Sequence, residues 1–467
     1  MKLTEQDLIR IVEQYRQEAE EGRRERIEYN KRNFDVYHMR QNYSHKIGGQ
    51  STEFIAKQQQ AVDQLVAFIL QGIYESNDWY SIEAAPGIPA ERLFIQPNEA
   101  KAILDRQLKN TKINEVISDL IQLGLLGSLM VAKVRGHYVD KPNYTTNIVY
   151  NKETASSDTV LIKQSQKKWQ LKVDTIRQEQ FYPDPTGRWL FIVEELEMDY
   201  HELLTMAEEG MFKKSDVLKL KGKALKSVGD SDFEHSRETG QNYTTPSDQH
   251  RHKIRLYELW GKVVKEGELV HDNIHAIIAD DICVLSGPNP NPNWHGGHPY
   301  IVSPILRVAN SVWHRALMDA ASSHNITMNE LYNLIIDGAM MSVHGIKQLR
   351  DDYVKDSQEL SGGIPPGTTL SVTRDLPHNA KVIENVVTST IPPEAMQVFG
   401  MIQNEHNQSS LTNDLRLGSS PQSDLRATAI VEASQSIQGV IGSFTRRIEE
   451  SLITPLLENH STPSCRT

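Results

Sequence analysis

The sequence predicts an α+β chain, and three observations carry that reading. Through Phe54–Tyr74, Ala61, Val62, Leu65, Val66, Phe68, Ile69 and Ile73 recur near a period of 3.6, the mark of a helix with one buried face. Ile254–Val264, Asn273–Ala279 and Asp281–Leu285 read instead as a meander of strands joined by polar turns. After Pro304 the pattern changes again, to a long helix, a β-rich insertion, a shorter helix, a loop and a last long helix.

Taken in order, Leu3 to about Arg40 reads as a polar helix with a short apolar stripe of Ile9, Ile11, Val12 and Tyr15. Arg23, Arg24 and Arg26 alternate with acids there, which predicts a solvated face with i,i+4 pairs. The Phe54–Tyr74 helix ends at Asn77–Ile82, a turn into a strand. One further long helix is expected from about Asn98 through Asp119 to Gly124 and Gly127. Those glycines mark close packing or the junction with a strand over Ser128–Val134. Residues 135 to 195 lean to strand, with a turn at Tyr182-Pro183-Asp184-Pro185-Thr186-Gly187. Met198–Met211 reads as helix, and Phe212–Val228 continues it with many lysines. Gly229–His250 is polar and of low complexity, a loop or poorly ordered insertion. Gly287–Pro299, rich in Pro, Asn and Gly, is expected to be irregular.

Val312–Met341 is the first long helix of the second half, about 45 Å at 1.5 Å per residue. It carries Val312, Ala316 and Ala320 on one side and a polar row of Asn325, Asn329 and Asn333 at i, i+4, i+8. Gly362-Gly363-Ile364-Pro365-Pro366-Gly367 excludes helix, and Thr368–Val372 and Lys381–Val387 read as strands. Thr390 can cap the next helix, whose first turn holds Pro392-Pro393-Glu394 and whose apolar face is Ala395, Val398, Phe399 and Ile402. Thr412–Asp424 is a loop. Asp424 then caps a helix whose face runs through Ala427, Ile430, Val431, Ile437, Ile441, Phe444, Ile448 and Leu452.

Composition excludes several classes of function. At 467 residues the chain exceeds one small domain, and 24% charged residues are ordinary for a folded protein. No apolar run approaches the roughly 20 residues that span a bilayer, so no membrane partner is expected. Cys283 and Cys465 are the only cysteines, too few for a disulfide framework or a thiolate metal site. A net charge of −11 opposes gripping DNA over a broad basic face.

The motifs narrow the field further. There is no phosphate-binding glycine loop of either common type, so a nucleotide-driven enzyme lacks its cradle. His271 and His275 stand four apart in an expected strand, too distant to chelate one metal ion readily. Pro183-Asp184 followed by Glu195 resembles the opening of a metal-dependent nuclease motif, but position 197 is Glu where that chemistry needs Lys. Asp184 is better read as a turn residue. No cofactor and no catalytic residue is expected. The lysines at 213, 214, 219, 221, 223 and 226 read as a solvated face, with phosphate contact as the alternative.

The order of elements and several local stretches resemble the portal (head-to-tail connector) proteins of tailed bacteriophages, most of all those of short-tailed phages. The resemblance is carried by Asp119–Val134, by Phe181–Gly187 and by Leu256-Tyr257-Glu258-Leu259-Trp260. It is carried also by His298-Pro299-Tyr300 leading into Arg315-Ala316-Leu317-Met318-Asp319, and most tellingly by Leu425-Arg426-Ala427-Thr428-Ala429-Ile430 opening a long helix. Together these cover about residues 50 to 458.

The resemblance implies a plan. Residues 1–310 would be a mixed wing, 311–341 a first stem helix, 342–390 a small β-containing clip and 391–411 a second stem helix. Residues 412–424 would be a tunnel loop facing DNA and 425–458 a long wing helix. Residues 459–467 would be a short tail, with the helical crown of the family reduced or absent. It implies a homo-oligomeric ring of twelve at one capsid vertex, double-stranded DNA passing through it without sequence specificity, and a place in the virion after assembly in the host cytoplasm. Partners would be the major capsid and scaffolding proteins, the large terminase and the tail adaptors. Asn413, Asp414, Arg416, Ser419, Ser420, Gln422, Asp424 and Arg426 are the channel-side candidates. Arg416 and Arg426 fit DNA contact and intersubunit salt bridging equally. Arg350, Asp351, Asp352, Lys355 and Arg374 are candidates for adaptor or terminase contact, against simple solvation. The alternatives are another neck or adaptor ring protein and, in a different class, a metal-dependent DNA nuclease.

Overall fold

In the computed structural model the described residues are 3–75, 79–83, 96–151, 156–221, 253–293, 296–344, 346–350, 354, 372–373, 381–387, 391–412 and 439–464. Helix and antiparallel sheet both contribute, as an α+β chain requires. Helix α1 (Glu5–Tyr37) starts in a reciprocal capping box between Thr4 and Asp7. It is followed by α2 (Lys57–Ile73).

The single helix expected from Asn98 to Gly124 is two, α3 (Pro97–Thr111) and α4 (Ile113–Leu126). Lys112 adopts a left-handed conformation, φ 52° and ψ 47°, and breaks the rod. Bending there lets Leu104 and Leu108 of α3 and Ile117, Leu120 and Ile121 of α4 enter one core. Gly124 is tied to that packing, since a Cβ there would lie 2.6 Å from Met130 Cγ.

Strands β1 (Met130–Asn151) and β2 (Ser156–Thr175) form a long antiparallel ribbon, joined at its base by β8 (Tyr300–Ser303) in the order β2-β1-β8. A second sheet has the order β3 (Phe181–Pro183), β4 (Phe191–Asp199), β5 (Lys253–Lys265), β6 (Glu268–Ala279), β7 (Cys283–Pro290). Alternation along β5 divides its core: Tyr257, Leu259 and Val263 meet α1 residues Leu8, Ile11 and Val12 on one face. Ile254 and Leu256 meet Leu203 of α5 (Tyr200–Glu208) and Val217 of α6 (Lys214–Lys219) on the other.

Two expectations fail here for a common reason, strand pairing. Met198, expected in helix, lies in β4 opposite Ile254. The stretch expected to be irregular from Gly287 remains strand to Pro290, paired with Ile274. Gly287 has φ +97°, and a Cβ there would lie 2.7 Å from the His275 carbonyl oxygen. The polar segment Gly229–His250 lies outside the described residues.

The second half holds α7 (Met318–His344), the short strands β9 (Ile346–Leu349) and β10 (Ile383–Val387), and α8 (Pro393–Ser409). Helix α7 begins later than the expected Val312. An antiparallel bridge between Leu306 and Arg315 holds the preceding chain in a loop. β10 pairs with β9, a strand the sequence reading missed; of Thr368–Val372, Val372 is described and bridges to Val354. No side chain caps α8, whose N-cap is Pro392 rather than Thr390. Residues 439–448 are helical, one π-helical turn spans Glu449–Ile453, and a last helix runs over Thr454–Ser464. Ile441, Phe444, Ile448 and Leu452 bury the expected face against the α2 and α4 core.

Candidate functional site

The antiparallel helices α7 and α8, tied at their far end by β9 and β10, are the element with most to say about function. Tyr332 packs near Phe399 with ring centroids 6.0 Å apart, and His324 Nδ1 lies 3.3 Å from Ser409 Oγ. Neither helix contains a lysine or an arginine, and Arg315 falls before α7 begins. Their acids are Asp319, Glu330, Asp337, Glu394 and Glu405. Both helices carry large exposed apolar side chains. On α7 these are Leu334, Met340 and Val343, the last 74% exposed; on α8 they are Met396, Val398 and Met401, the last 67% exposed.

The near end of the pair is bolted to α1. Arg26 donates through Nη1 to Asp319 Oδ2 at 2.7 Å and through Nη2 to Oδ1 at 2.5 Å, a bidentate pair. Asn33 Nδ2 donates to the same carboxylate at 2.9 Å, and Arg32 donates to the Asp319 carbonyl. The solvated face expected for α1 is therefore wrong in part. Arg23 is 5% exposed. Its guanidinium lies 3.7 Å from the Tyr182 ring centroid, donates to the Gln178 and Glu179 carbonyls, and pairs with Glu20. Interior carbonyls and a ring face replace the water that the charge run suggested.

Farther along α7, the asparagine row is a ladder for an extended segment of the N-terminal region. Asn333 Oδ1 accepts from Glu53 N at 2.8 Å, Asn329 Oδ1 from Ile55 N at 2.9 Å, and Asn325 Oδ1 from Gln58 N at 3.3 Å. Ser51 N adds a bond to Asp337 at 2.7 Å. The spacing has a simple origin. Four helical residues rise about 6.0 Å and two extended residues about 6.6 Å, so the amides of Ser51, Glu53 and Ile55 meet Asp337, Asn333 and Asn329 in step, whereas Gln58, already in α2, lies three residues further on. All three asparagines are fully buried.

A second buried polar group joins the two sheets. Lys133 Nζ of β1 lies 2.5 Å from Glu194 Oε2 of β4 and 2.5 Å from Glu258 Oε2 of β5. Tyr300 donates to Glu194, and Trp260 Nε1 donates to Glu258. Burial pushes the Glu194 carboxyl up, and Lys133 opposes that shift. Burial acts the same way on Glu258, but the bond to His275 and the Lys133 charge outweigh it. The cluster lies at the edge of a cleft of about 1020 Å³ that Met206, Met211 and Phe212 also line. Composition gave no sign of it, because its three charged members come from three separate segments.

Of the sequence-derived candidates, Arg350 is described, exposed, and donates its backbone N–H to Val382 O. Asp351, Asp352, Lys355 and Arg374 lie outside the described residues, as do Asn413, Asp414, Arg416, Ser419, Ser420, Gln422, Asp424 and Arg426. The nuclease reading loses its carboxylates. Asp184 Oδ1 accepts from Thr186 N and Oγ1 and its Oδ2 from Leu190 N, the turn role. Glu195 pairs with Arg255 at 2.8 Å and accepts from Tyr182. His275 faces Glu258 rather than His271. Among the described residues no three metal-ligating side chains cluster, and no helix is long and apolar enough to cross a membrane.

No curated protein matches the chain. A family model described as Phage SU10 portal protein matches residues 130–458.

Proposed function

We propose that this chain, which belongs to the Phage SU10 portal protein family, closes into a twelve-membered ring at one capsid vertex and serves as the conduit for genome packaging and ejection. It is a structural component of the virion, not an enzyme. In this reading α7 and α8 are the stem, residues 342–390 the clip, residues 412–424 the tunnel loop, and the region before α7 most of the wing. The clip takes the large terminase during packaging and the tail adaptors afterwards, with Arg350, Asp351, Asp352, Lys355 and Arg374 as contacts. The wing meets the capsid and scaffolding proteins.

The observation that carries the proposal is the α7–α8 pair. It bears no lysine or arginine and exposes apolar residues on both helices. Each phosphate neutralised by a cation adds salt-dependent affinity, so a wall without cations lets DNA slide. Exposed leucine, valine and methionine on two neighbouring helices supply two different patches, as a head-to-tail ring requires. Arg416 and Arg426 would then be the local exceptions near the DNA.

Native mass spectrometry and negative-stain microscopy of the purified full chain test this. Closed rings with a central hole are expected, twelvefold in mass. A chain that stays monomeric at all attainable concentrations overturns the reading.

A further inference from the structure

The five-stranded sheet β3-β4-β5-β6-β7 is the middle layer of three, and its two covers differ in charge. Leu8, Ile11, Val12 and Ala19 pack α1 on one face of the sheet. Leu203, Val217 and Leu220 pack α5 and α6 on the other. The free sides of the two covers therefore point away from each other, with the sheet between them.

On α1 that free side is acidic. Glu18, Glu21, Glu25 and Glu28 recur at i, i+3, i+7 and i+10, one stripe opposite Leu8, Val12 and Ala19, and all four are exposed. Arg24 is the one exposed base between Glu18 and Glu28 and stands at the edge of the stripe. Like charges at this spacing repel along a helix, so the stripe does not serve α1 itself. Glu13 extends the acidic side toward the β6–β7 turn, where it lines a small cleft with Asp280 and Asp281. Burial and then the Asp281 charge push the Asp280 carboxyl up, and Glu13 adds to that against Arg255 and Arg16.

Around α6 the free side is basic. Lys213, Lys214, Lys219 and Lys221 are all exposed, whereas Asp216, the acid of that stretch, is buried beside Lys219. The exposed acids of α5 are Glu202, Glu208 and Glu209, and Lys214 reaches Glu208 at 3.6 Å. Lys213 and Lys221 have no acid partner among the described residues. Met211 and Leu218 are exposed among these lysines, and apolar residues with a charged rim are the anatomy of a contact. The basic and acidic sides cannot meet within one copy. Between copies they match, and each added copy leaves the same two sides open, as a head-to-tail ring requires. A grip on phosphates would account for the lysines but not for the stripe on the far side of the sheet.

We propose that the lysine face of α6 docks on the glutamate stripe of α1 in the next copy of this chain. This seam rests on the ring reading and adds to it a contact outside the α7–α8 pair. Carbodiimide cross-linking of the full chain should join Lys213 or Lys221 to Glu18, Glu21 or Glu25 of a second copy. Glu21→Lys with Glu25→Lys should make rings dissociate at a concentration roughly tenfold higher, and so should Lys213→Glu with Lys221→Glu. All four positions are exposed, so each variant should keep the circular dichroism of the parent. The chain with all four changes again has opposite signs across the seam and should return to within about threefold of the parent. If either pair leaves the rings as stable as before, or the four changes together are no better than two, the seam is refuted and the ring reading stands. Lysine changes that weaken DNA retention while the rings stay unaltered refute it as well. A parent chain that forms no ring refutes both.

Discussion

Asn333 shows how a residue can be conspicuous in sequence while its purpose stays hidden. The i, i+4, i+8 row with Asn329 and Asn325 is plain in the sequence, but its partners lie 267 to 280 residues earlier in an apparently featureless segment. Asn333→Leu would leave the Glu53 amide and carbonyl without their partner at a half-buried site. A loss of about 1–3 kcal/mol is expected, with faster hydrogen exchange at Glu53 and Ile55. Exchange unchanged at those amides would show that the ladder does not hold the segment. His406 carries a pH signature. Burial, followed by the nearby His324 and Lys57 charges, pushes its ring down from 6.5 to about 4. The folded state thus holds a neutral imidazole where the unfolded chain binds a proton. Stability is full above about 6.5 and falls as pH drops toward 4, by an amount on the order of 3 kcal/mol. Denaturation midpoints of the parent and of His406→Gln, compared at pH 7 and 4.5, should show the smaller acid loss in the variant.

At the scale of elements, periodicity located the long helices and the strands of the second sheet, and its errors came where tertiary contacts took over. Lys112 offers no local breaker signal, yet it bends the chain because both flanking helices must reach one core. The Leu306–Arg315 bridge delays α7 in the same way, against a helical pattern that runs from Val312. Buried faces were legible, as Ile441, Phe444 and Ile448 show. Exposed apolar residues were not, because Leu334 and Met401 look like core residues until their surroundings are known. Leu334→Asp and Met401→Asp should change the stability of the isolated chain by about 0.5 kcal/mol or less, since neither is buried. Rings should dissociate at markedly lower ionic or thermal stress, read by native mass spectrometry across a temperature series. Rings unaffected by both changes would place the copy-to-copy seam elsewhere.

For the whole molecule, charge is distributed by function rather than averaged. The helix pair lacks lysine and arginine, whereas Arg23 of α1 is spent on interior carbonyls and Arg26 on Asp319. The Thr412–Asp424 loop was read from Gly418-Ser419-Ser420-Pro421, and beyond Thr412 it lies outside the described residues. Deleting Ser419–Gln422 should leave rings intact and reduce the DNA retained per particle, measured by packaging assay. Loss of rings would instead make the loop structural.

The family match begins at residue 130, whereas the bolt and the ladder on α7 come from residues 26–58. That separation has a consequence for the order of synthesis. The extended segment leaves the ribosome some 280 residues before Asn333 exists to receive it. Bringing the two together closes a loop whose entropy alone is about 5 kcal/mol, which local structure must first shorten. Docking of the segment is therefore a late event, completed after the sheets between have folded. A nascent chain stopped before Asp319 has neither bolt nor latch, and the helix pair is complete only once Ser409, about seven eighths of the way along the chain, has been made.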